Sequence, residues 1–390
     1  MMAYWVNLQG QNEWHPVKSV LTECWEHNET NYTSFGWIGN AKARNIGLHQ
    51  LQYSNSVSIS SIPPWLFPLP NVDLSIQQEL KDNSAQLPSW FIVQNYFKEH
   101  YPESVFLFTD GSKDPETGFA GAAVYIPMRD CFIKKRVTNH LSVYATELLA
   151  ILLALQWIEE KKIKNTVIAS DSYSSLESIR SGRSLVRMDI INEIFCKMYN
   201  MKVMGISTRF IWVPAHVGVE GNEKVDILAK QTLRLKQVDF QVPLSKAEAK
   251  VLIRTYAQSV WQVYWDDNET GRHLYNIQKQ VGAGRRESRN RREGSILTRM
   301  RIGHTGLNST LYKIGKHPTG ECIHCSQQET VEHVLLHCRK YSNERRHLIL
   351  SLKKVKHHDF TLSGLLRETA SKIYDDIIKF VKESKLYKRI

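Results

Sequence analysis

Short apolar runs and helical repeats of apolar residues alternate between residues 104 and 236, and this pattern predicts a folded domain. Residues 104–109, 119–126 and 131–137 are rich in β-branched and aromatic residues, with Gly-containing turns between them. Three short strands joined in this way favour an antiparallel meander.

The rest of this region alternates between the apolar spacing of helices and that of buried strands. Residues 144–160, 172–181, 187–203 and 222–235 have the apolar spacing of helices, whereas 166–170 and 208–213 have the pattern of buried strands. The order βββαβα(α)βα predicts an α/β fold with a mixed five-stranded sheet flanked by helices.

The flanking segments differ in pattern. Residues 1–101 show weak periodicity and contain a proline-rich stretch at 62–68, which predicts an extended connector. Ser245 and Glu248 resemble a capping box that opens an amphipathic helix towards Trp265, a candidate tether. We therefore divide the chain into an N-terminal segment with its connector (1–101), a central domain (102–236), a helical tether with a basic linker (237–300) and a helical C-terminal region containing Cys and His (301–390).

Composition narrows the class of protein. A chain of 390 residues with 42% hydrophobic residues can bury a core, so a disordered protein is not expected. Its 51 Lys and Arg against 39 Asp and Glu give a formal charge of +12, which favours a polyanionic partner such as nucleic acid. On charge alone, a basic protein without that role stays open.

The same sequence argues against secretion and membrane insertion. Six cysteines are too few for a disulfide scaffold. No stretch approaches the roughly 18 apolar residues of a membrane span, and the N-terminus lacks a leader pattern. We expect an intracellular protein with no membrane partner, in the nucleus or the cytoplasm.

Four carboxylates interrupt the apolar pattern. Asp110 and Asp171 each follow a predicted strand. Glu147 shares a helical face with apolar residues, and Asp226 lies among apolar residues of the last helix. Each alone is explained by a turn, a helix cap or a buried salt bridge, but together they can converge at one edge of the sheet. Because four such groups repel each other without cations, and oxygen ligands suit Mg²⁺ or Mn²⁺, the pattern predicts a two-ion site for phosphodiester displacement.

The residues around these carboxylates resemble the type 1 ribonuclease H family over about residues 102–236. The matching blocks, in order, are FTDGS (108–112), ATEL (145–148), SDS (170–172) and WVPAHVGVEGNEKVD (212–226). The resemblance implies a ribonuclease H-like fold in which Asp110, Glu147, Asp171 and Asp226 bind two Mg²⁺ or Mn²⁺ ions. It also implies that His216 is a mobile histidine that assists proton transfer or product release.

The function implied by this resemblance is an endonuclease that hydrolyses the RNA strand of RNA–DNA hybrids, leaving 5′-phosphate and 3′-hydroxyl ends. Backbone near Gly111 and Ser112 would contact the 2′-hydroxyls that distinguish RNA. The alternatives are a transposon-derived nucleic-acid-binding protein with an idle nuclease domain, and another nuclease or integrase of the same fold. The chain between residues 181 and 187 is too short for the basic extra helix of some members, so another part of the chain is expected to hold the hybrid.

The first candidate for holding the hybrid is a basic run at residues 285–292. The run has no apolar face, so it is either a solvated linker, a contact for nucleic acid or a nuclear import signal. Its arginines are Arg285, Arg286, Arg289, Arg291 and Arg292.

A cluster of cysteine and histidine follows. Cys322, Cys325, His333 and Cys338 supply three thiolates and an imidazole at spacings suited to one structural Zn²⁺. His324 or His337 in place of His333, and free thiols without metal, stay open. Residues 301–338 are similar to the tail that follows the ribonuclease H domain in non-LTR retrotransposon polyproteins. That similarity implies a polyprotein fragment or a host gene derived from one, with reverse transcriptase or other retrotransposon proteins as candidate partners.

Overall fold

The computed structural model describes residues 1–21, 33–55, 60–83, 87–282, 290–367 and 373–390. It divides into two compact units, residues 1–254 and 255–390. Within the described ranges, no helix combines the length and the apolar character needed to cross a membrane.

The first unit combines strands and helices. Its strands are β1 (Asn71–Asp73), β2 (Val105–Lys113), β3 (Ala120–Ile126), β4 (Cys131–Val137), β5 (Asn165–Ser170) and β6 (Ser207–Trp212). Its α-helices are α1 (Met2–Gln9), α2 (Phe35–Asn45), α3 (Ile76–Asn83), α4 (Ser89–His100), α5 (Val143–Lys161), α6 (Tyr173–Ser181), α7 (Met188–Val203), α8 (Glu220–Thr232) and the start of α9 (Lys246–Asp267).

The strands form one mixed sheet in the order β1-β6-β5-β2-β3-β4. Strands β2, β3 and β4 form the predicted antiparallel meander, while β2, β5, β6 and β1 are parallel neighbours. The mixed sheet flanked by helices is therefore confirmed. The predicted number of five strands is wrong, because β1 from the N-terminal segment adds a sixth strand beside β6.

Helix α5 is buried along most of its length against one face of the sheet. Its N-cap is Ser142, whose hydroxyl accepts a hydrogen bond from the backbone N–H of Ala145 at 3.2 Å. Leu148, Ile151 and Leu155 of α5 belong to the main core. A second core on the opposite face contains residues of β2, α4 and α8. These two layers bring α5 and α8 to opposite sides of β2.

The second unit is helical, as predicted for the C-terminal extension. Its helices after α9 are α10 (Arg272–Ile277), α11 (Arg291–Ile302), α12 (Asn308–Lys313), α13 (Ser342–Lys354), α14 (Leu362–Leu366) and α15 (Tyr374–Glu383). Residues of α10, α11, α13, α14 and α15 form a core of their own, which includes Leu297, Leu348 and Phe380.

Candidate active site and metal centre

Three carboxylates meet where the parallel pairing of β2 with β5 ends. Asp110 lies within β2 and not after it as predicted, because β2 continues to Lys113 in its pairing with β3. Glu147 lies in α5 and Asp171 directly after β5. Each offers an oxygen within 4.8 Å of the others. Asp110 and Glu147 are each only 7% exposed. The group is therefore a compact, mostly buried set of oxygen ligands that can hold a metal ion.

Gly111 makes this approach possible. A Cβ at Gly111 would overlap the backbone of Thr146 and Glu147 and would lie 2.6 Å from Oγ1 of Thr146. Any side chain here would push α5 away from β2, so the glycine lets Glu147 reach Asp110. Ser112, the next residue, is half-buried.

The electrostatics of the group favour a bound cation. Burial raises the pKa of Asp110 to about 7, and the charges of Asp171 and Asp226 act in the same direction. Burial, with the charges of Asp110 and Asp171, raises the pKa of Glu147 well above its usual value. Oε2 of Glu147 is buried without a hydrogen-bond partner in the described part of the chain. A divalent cation would satisfy this oxygen and offset the repulsion, so the residues fit such an ion.

Asp171 is oriented by two neighbours. Its Oδ2 accepts a hydrogen bond from Nδ2 of Asn222 at 3.1 Å, and its backbone oxygen accepts one from the indole of Trp212 at 3.1 Å. Burial raises the pKa of Asp171, while the bond from Asn222 opposes that shift. Asn222 is 3% exposed and was not assigned a role from the sequence. An uncharged residue near the start of a polar helix gives no signal that would single it out.

Asp226 stands beside this group rather than within it. It lies in α8, 19% exposed, and its Oδ2 is 2.7 Å from Nζ of Lys230. Its charge nevertheless contributes to the raised pKa of Asp110 and of Asp171. The structure thus brings three of the four predicted carboxylates together and places the fourth nearby in an ion pair.

His216 lies in the loop between β6 and α8. Its backbone has a φ of +54°, and its side chain is 69% exposed, with Nδ1 4.0 Å from Oε2 of Glu223. The charge of His216 acts on the pKa of Asp171, which it lowers. The imidazole is therefore open to solvent and close enough to affect the carboxylate group.

A second candidate metal centre lies in the second unit. Cys322, Cys325, His333 and Cys338 each offer a ligand atom within 4.8 Å of the others. The Sγ atoms of Cys322 and Cys325 are both 3.8 Å from that of Cys338. Nε2 of His333 is buried without a hydrogen-bond partner among the described residues.

Local backbone structure assembles this cluster. The backbone N–H of Cys325 donates to the oxygen of Cys322 at 3.2 Å, which closes the turn between these two ligands. The segment from His333 is a π-helical turn (His333–His337), and the N–H of Cys338 donates to the oxygen of His333 at 2.7 Å. This wider turn carries two ligands five residues apart to one side of the chain.

His333, rather than the alternatives His324 and His337, belongs to the cluster. Both alternatives are exposed, whereas His333 is 5% exposed. Burial lowers the pKa of His333, which favours the neutral form that binds metals, and burial raises the pKa of Cys338 to about 11. A cation would offset the cost of a buried thiolate, so the four residues fit a metal ion.

Of the five arginines of the basic run, Arg285, Arg286 and Arg289 lie outside the described residues. Arg291 is exposed at the start of α11. Arg292 donates a hydrogen bond to the backbone oxygen of Tyr387 at 3.1 Å, and its guanidinium lies 5.6 Å from the centre of the Tyr387 ring. Arg292 therefore contacts Tyr387 within the second unit, while its own side chain stays exposed.

A match to a known protein family covers the central part of the first unit. Residues 102–234 match the model of the family described as RNase H. The matched region extends from just before β2 to the end of α8 and contains the four carboxylates and His216. The chain therefore contains a ribonuclease H domain, which is a nuclease domain that acts on nucleic acid.

Proposed function

We propose that this chain is an endonuclease that hydrolyses the RNA strand of RNA–DNA hybrids. The observation that carries the proposal is the buried group of Asp110, Glu147 and Asp171, which have ligand oxygens within 4.8 Å of one another in a domain that matches the RNase H family. Such a site combines a concentrated negative charge with an unsatisfied carboxylate oxygen, and neither serves the stability of the fold.

We assign two Mg²⁺ or Mn²⁺ ions to this site as cofactors. When bound, they would activate water against the scissile phosphate and stabilise the leaving 3′ oxygen, which gives 5′-phosphate and 3′-hydroxyl products. Asp110, Glu147 and Asp171 would hold the ions, and Asp226 would join them by giving up its ion pair with Lys230. Asn222 keeps Asp171 in the orientation needed for binding.

Other residues of the domain would act on the substrate. His216, exposed on its loop, would accept or return a proton near the carboxylates or help the product to leave. The backbone near Gly111 and Ser112 would contact the 2′-hydroxyls of the RNA strand. The close approach of Gly111 to α5 is a separate, structural role of the same residue.

For the second unit we propose a structural Zn²⁺ bound by Cys322, Cys325, His333 and Cys338. Three sulfur ligands and one nitrogen form the set that tetrahedral zinc prefers. Closed four-ligand sites of this kind stabilise a fold rather than perform chemistry. Origin from a non-LTR retrotransposon, with its reverse transcriptase as a partner, remains a proposal that rests on the sequence similarity of residues 301–338.

The distribution of charge favours a second candidate function. Residues 255–390 hold 25 Lys and Arg against 14 Asp and Glu, a formal charge of +11, whereas residues 1–254 hold 26 against 25, a charge of +1. Nearly all of the net positive charge thus lies in residues 255–390, although 26 of the 51 Lys and Arg are in residues 1–254. A nucleic-acid-binding protein whose nuclease site is idle would have this distribution too.

Incubation of the full chain with labelled RNA–DNA hybrid, duplex RNA and duplex DNA separates these functions. We expect Mg²⁺ to support cleavage of the RNA strand in the hybrid alone, and Asp110→Asn to abolish it, because the substitution removes a ligand charge and preserves shape. Tight binding of hybrid without cleavage in Mg²⁺ or Mn²⁺ would favour the idle-nuclease alternative.

A further inference from the structure

Helix α9 begins with a capping box, as the sequence predicts. The backbone N–H and the hydroxyl of Ser245 both donate to Oε2 of Glu248 at 2.8 Å, and the N–H of Glu248 donates to Oγ of Ser245 at 3.3 Å. This arrangement engages only one of the two carboxylate oxygens of Glu248.

The other oxygen of Glu248 caps a second helix, α5. The N–H and the hydroxyl of Ser142, the N-cap of α5, donate to Oε1 of Glu248 at 2.8 and 2.7 Å. In a capping box, a Glu or Gln three residues after the N-cap would supply this acceptor, but α5 has Ala145 there. Glu248 therefore provides from α9 the acceptor that α5 lacks.

The charge of Glu248 is balanced inside the protein. Glu248 is 4% exposed, and its Oε2 lies 3.1 Å from a terminal nitrogen of the fully buried Arg187. The other two nitrogens of the Arg187 guanidinium donate hydrogen bonds to the two carboxylate oxygens of Asp189, at 3.0 and 2.8 Å. Because removing one partner of a buried ion pair is costly, this network fixes the start of α5 and of α7 against α9.

The segment that carries Glu248 is anchored on two sides within the first unit. Phe240 forms a β-bridge with Val137 of β4, and Leu244 forms one with Tyr53. Ala249, next to Glu248, packs in a core of the N-terminal segment. Glu248 thus has a defined position relative to the sheet.

The cap acts on the helix that carries a candidate metal ligand. Glu147 lies five residues after Ser142, which is about 7.5 Å along the axis of α5 at the usual rise per residue. A shift of the first turn of α5 would move the Glu147 carboxylate relative to Asp110, and metal sites tolerate displacements of only about 0.5 Å.

We propose that Glu248 is a positioning residue for the carboxylate site, although it lies outside the RNase H match at residues 102–234. It holds the N-terminus of α5 so that Glu147 meets Asp110 and Asp171. The proposal rests on the proposed function in one respect, namely that this site binds divalent ions.

The test is Glu248→Gln in the full chain. The amide keeps the size of the side chain but turns a donor towards the N–H of Ser142 or of Ser245. Among the described residues, it also leaves Asp189 as the one charged partner of Arg187. We expect the Mn²⁺ concentration that half-saturates the site to rise about tenfold, as for other residues that support metal ligands. Calorimetry measures this concentration, and the binding that belongs to the carboxylate site is the part that Asp110→Asn abolishes. The Mg²⁺ concentration needed for cleavage should rise in parallel.

Ser245→Ala is the matched control. It weakens the cap of α9 but leaves the bonds between Glu248 and Ser142, so it should lower the melting temperature without changing the half-saturating Mn²⁺ concentration. If Glu248→Gln does not fold, Ser142→Ala keeps the buried ion pair and should still weaken Mn²⁺ binding. Equal Mn²⁺ affinity in wild type and in a folded variant at either Glu248 or Ser142 would overturn the proposal.

The calorimetric measurement also separates this proposal from the proposed function. A wild-type chain that binds Mn²⁺ at the carboxylates but leaves hybrid intact would refute the nuclease proposal, while the comparison of variants would still test Glu248. If the Asp110→Asn variant binds as much Mn²⁺ as the wild type, both proposals would be refuted.

Discussion

Asp110 occupies a position where stability and ion binding oppose each other. Burial and the charges of Asp171 and Asp226 raise its pKa to about 7. A carboxyl whose pKa is higher in the folded than in the unfolded state contributes stability below its unfolded pKa of about 3.9, and that contribution is lost as the pH rises towards the folded value. The folded protein without divalent ions therefore loses this contribution between about pH 4 and 7.

We accordingly predict that Asp110→Asn raises the melting temperature at pH 8 in buffer free of divalent ions. The difference from wild type should shrink as the pH falls and disappear below about pH 3, where Asp110 is protonated in both the folded and the unfolded state. Addition of Mg²⁺ should stabilise the wild type and not the variant, because the variant has lost a ligand charge. If the variant melts no higher than wild type at pH 8, the ionised Asp110 is not destabilised by its burial and by the charges of Asp171 and Asp226, and the prediction is wrong.

Asn222 gives a second prediction for a single residue. Because its amide fixes Oδ2 of Asp171, Asn222→Ala should lower hybrid cleavage about 10- to 100-fold and raise the Mg²⁺ requirement, with the fold retained. Ile227→Ala, on an exposed position of the same helix, is the control and should leave both quantities unchanged. Mg²⁺ titrations of cleavage measure the effect; identical titration curves for Asn222→Ala and wild type would show that Asp171 needs no such support.

At the scale of elements, the region from β2 to α8 could be predicted closely because each element has an uninterrupted pattern. The run that forms β4, Cys131–Val137, has the predicted bounds, and α5 differs from its predicted range by one residue at each end. The four carboxylates could be singled out against these patterns, because each is a charged residue within or directly after an apolar run.

Other elements depend on partners far away in the chain and could not be predicted. Strand β1 has three residues, follows a proline-rich stretch and exists through its pairing with β6. The double role of Glu248 is similar: its own capping box is visible in the sequence, but its bonds to Ser142 link residues 106 positions apart. The π-turn at His333–His337 could not be predicted either, because the sequence pattern does not distinguish a π-turn from an ordinary helix.

The cysteine and histidine cluster gives a prediction at the same scale. The purified chain should contain about one equivalent of zinc, the stoichiometry of a closed four-ligand site. Cys325→Ser should loosen the second unit and spare the sheet of the first, because Cys322 and Cys338 belong to the core of residues 255–390 alone. Hydrogen exchange measured along the chain distinguishes the two units.

Cys131→Ser, which alters a half-buried thiol of β4, is the control and should retain the zinc. Zinc-free protein by elemental analysis would refute the assignment.

At the scale of the whole molecule, the carboxylate site and most of the net positive charge are in different units. The unit with the carboxylates has a formal charge of +1, and it joins α6 to α7 by a loop at residues 182–187 with no basic helix. Residues 255–390 have a charge of +11. Since binding to phosphates depends on Lys and Arg, we expect most of the affinity for a hybrid to come from the second unit.

The arginines at 285, 286, 289 and 291 allow this expectation to be tested, and Arg292 is left unchanged in the variant because its replacement would also remove the contacts with Tyr387. Replacing the four by Gln should weaken hybrid binding and reduce the dependence of log affinity on log salt by up to about 0.9 for each phosphate that is no longer neutralised. Cleavage at saturating hybrid should change little, and the effect should not depend on base sequence, because binding to phosphates does not read bases.

The matched control removes four exposed lysines from the first unit, at the end of the sheet opposite the carboxylates: Lys161, Lys162, Lys164 and Lys202. Both variants have four fewer positive charges than wild type, so an effect of net charge alone would appear in both. A salt dependence that changes equally in the two variants, or in neither, would show that the basic run is a solvated linker and that other residues hold the substrate.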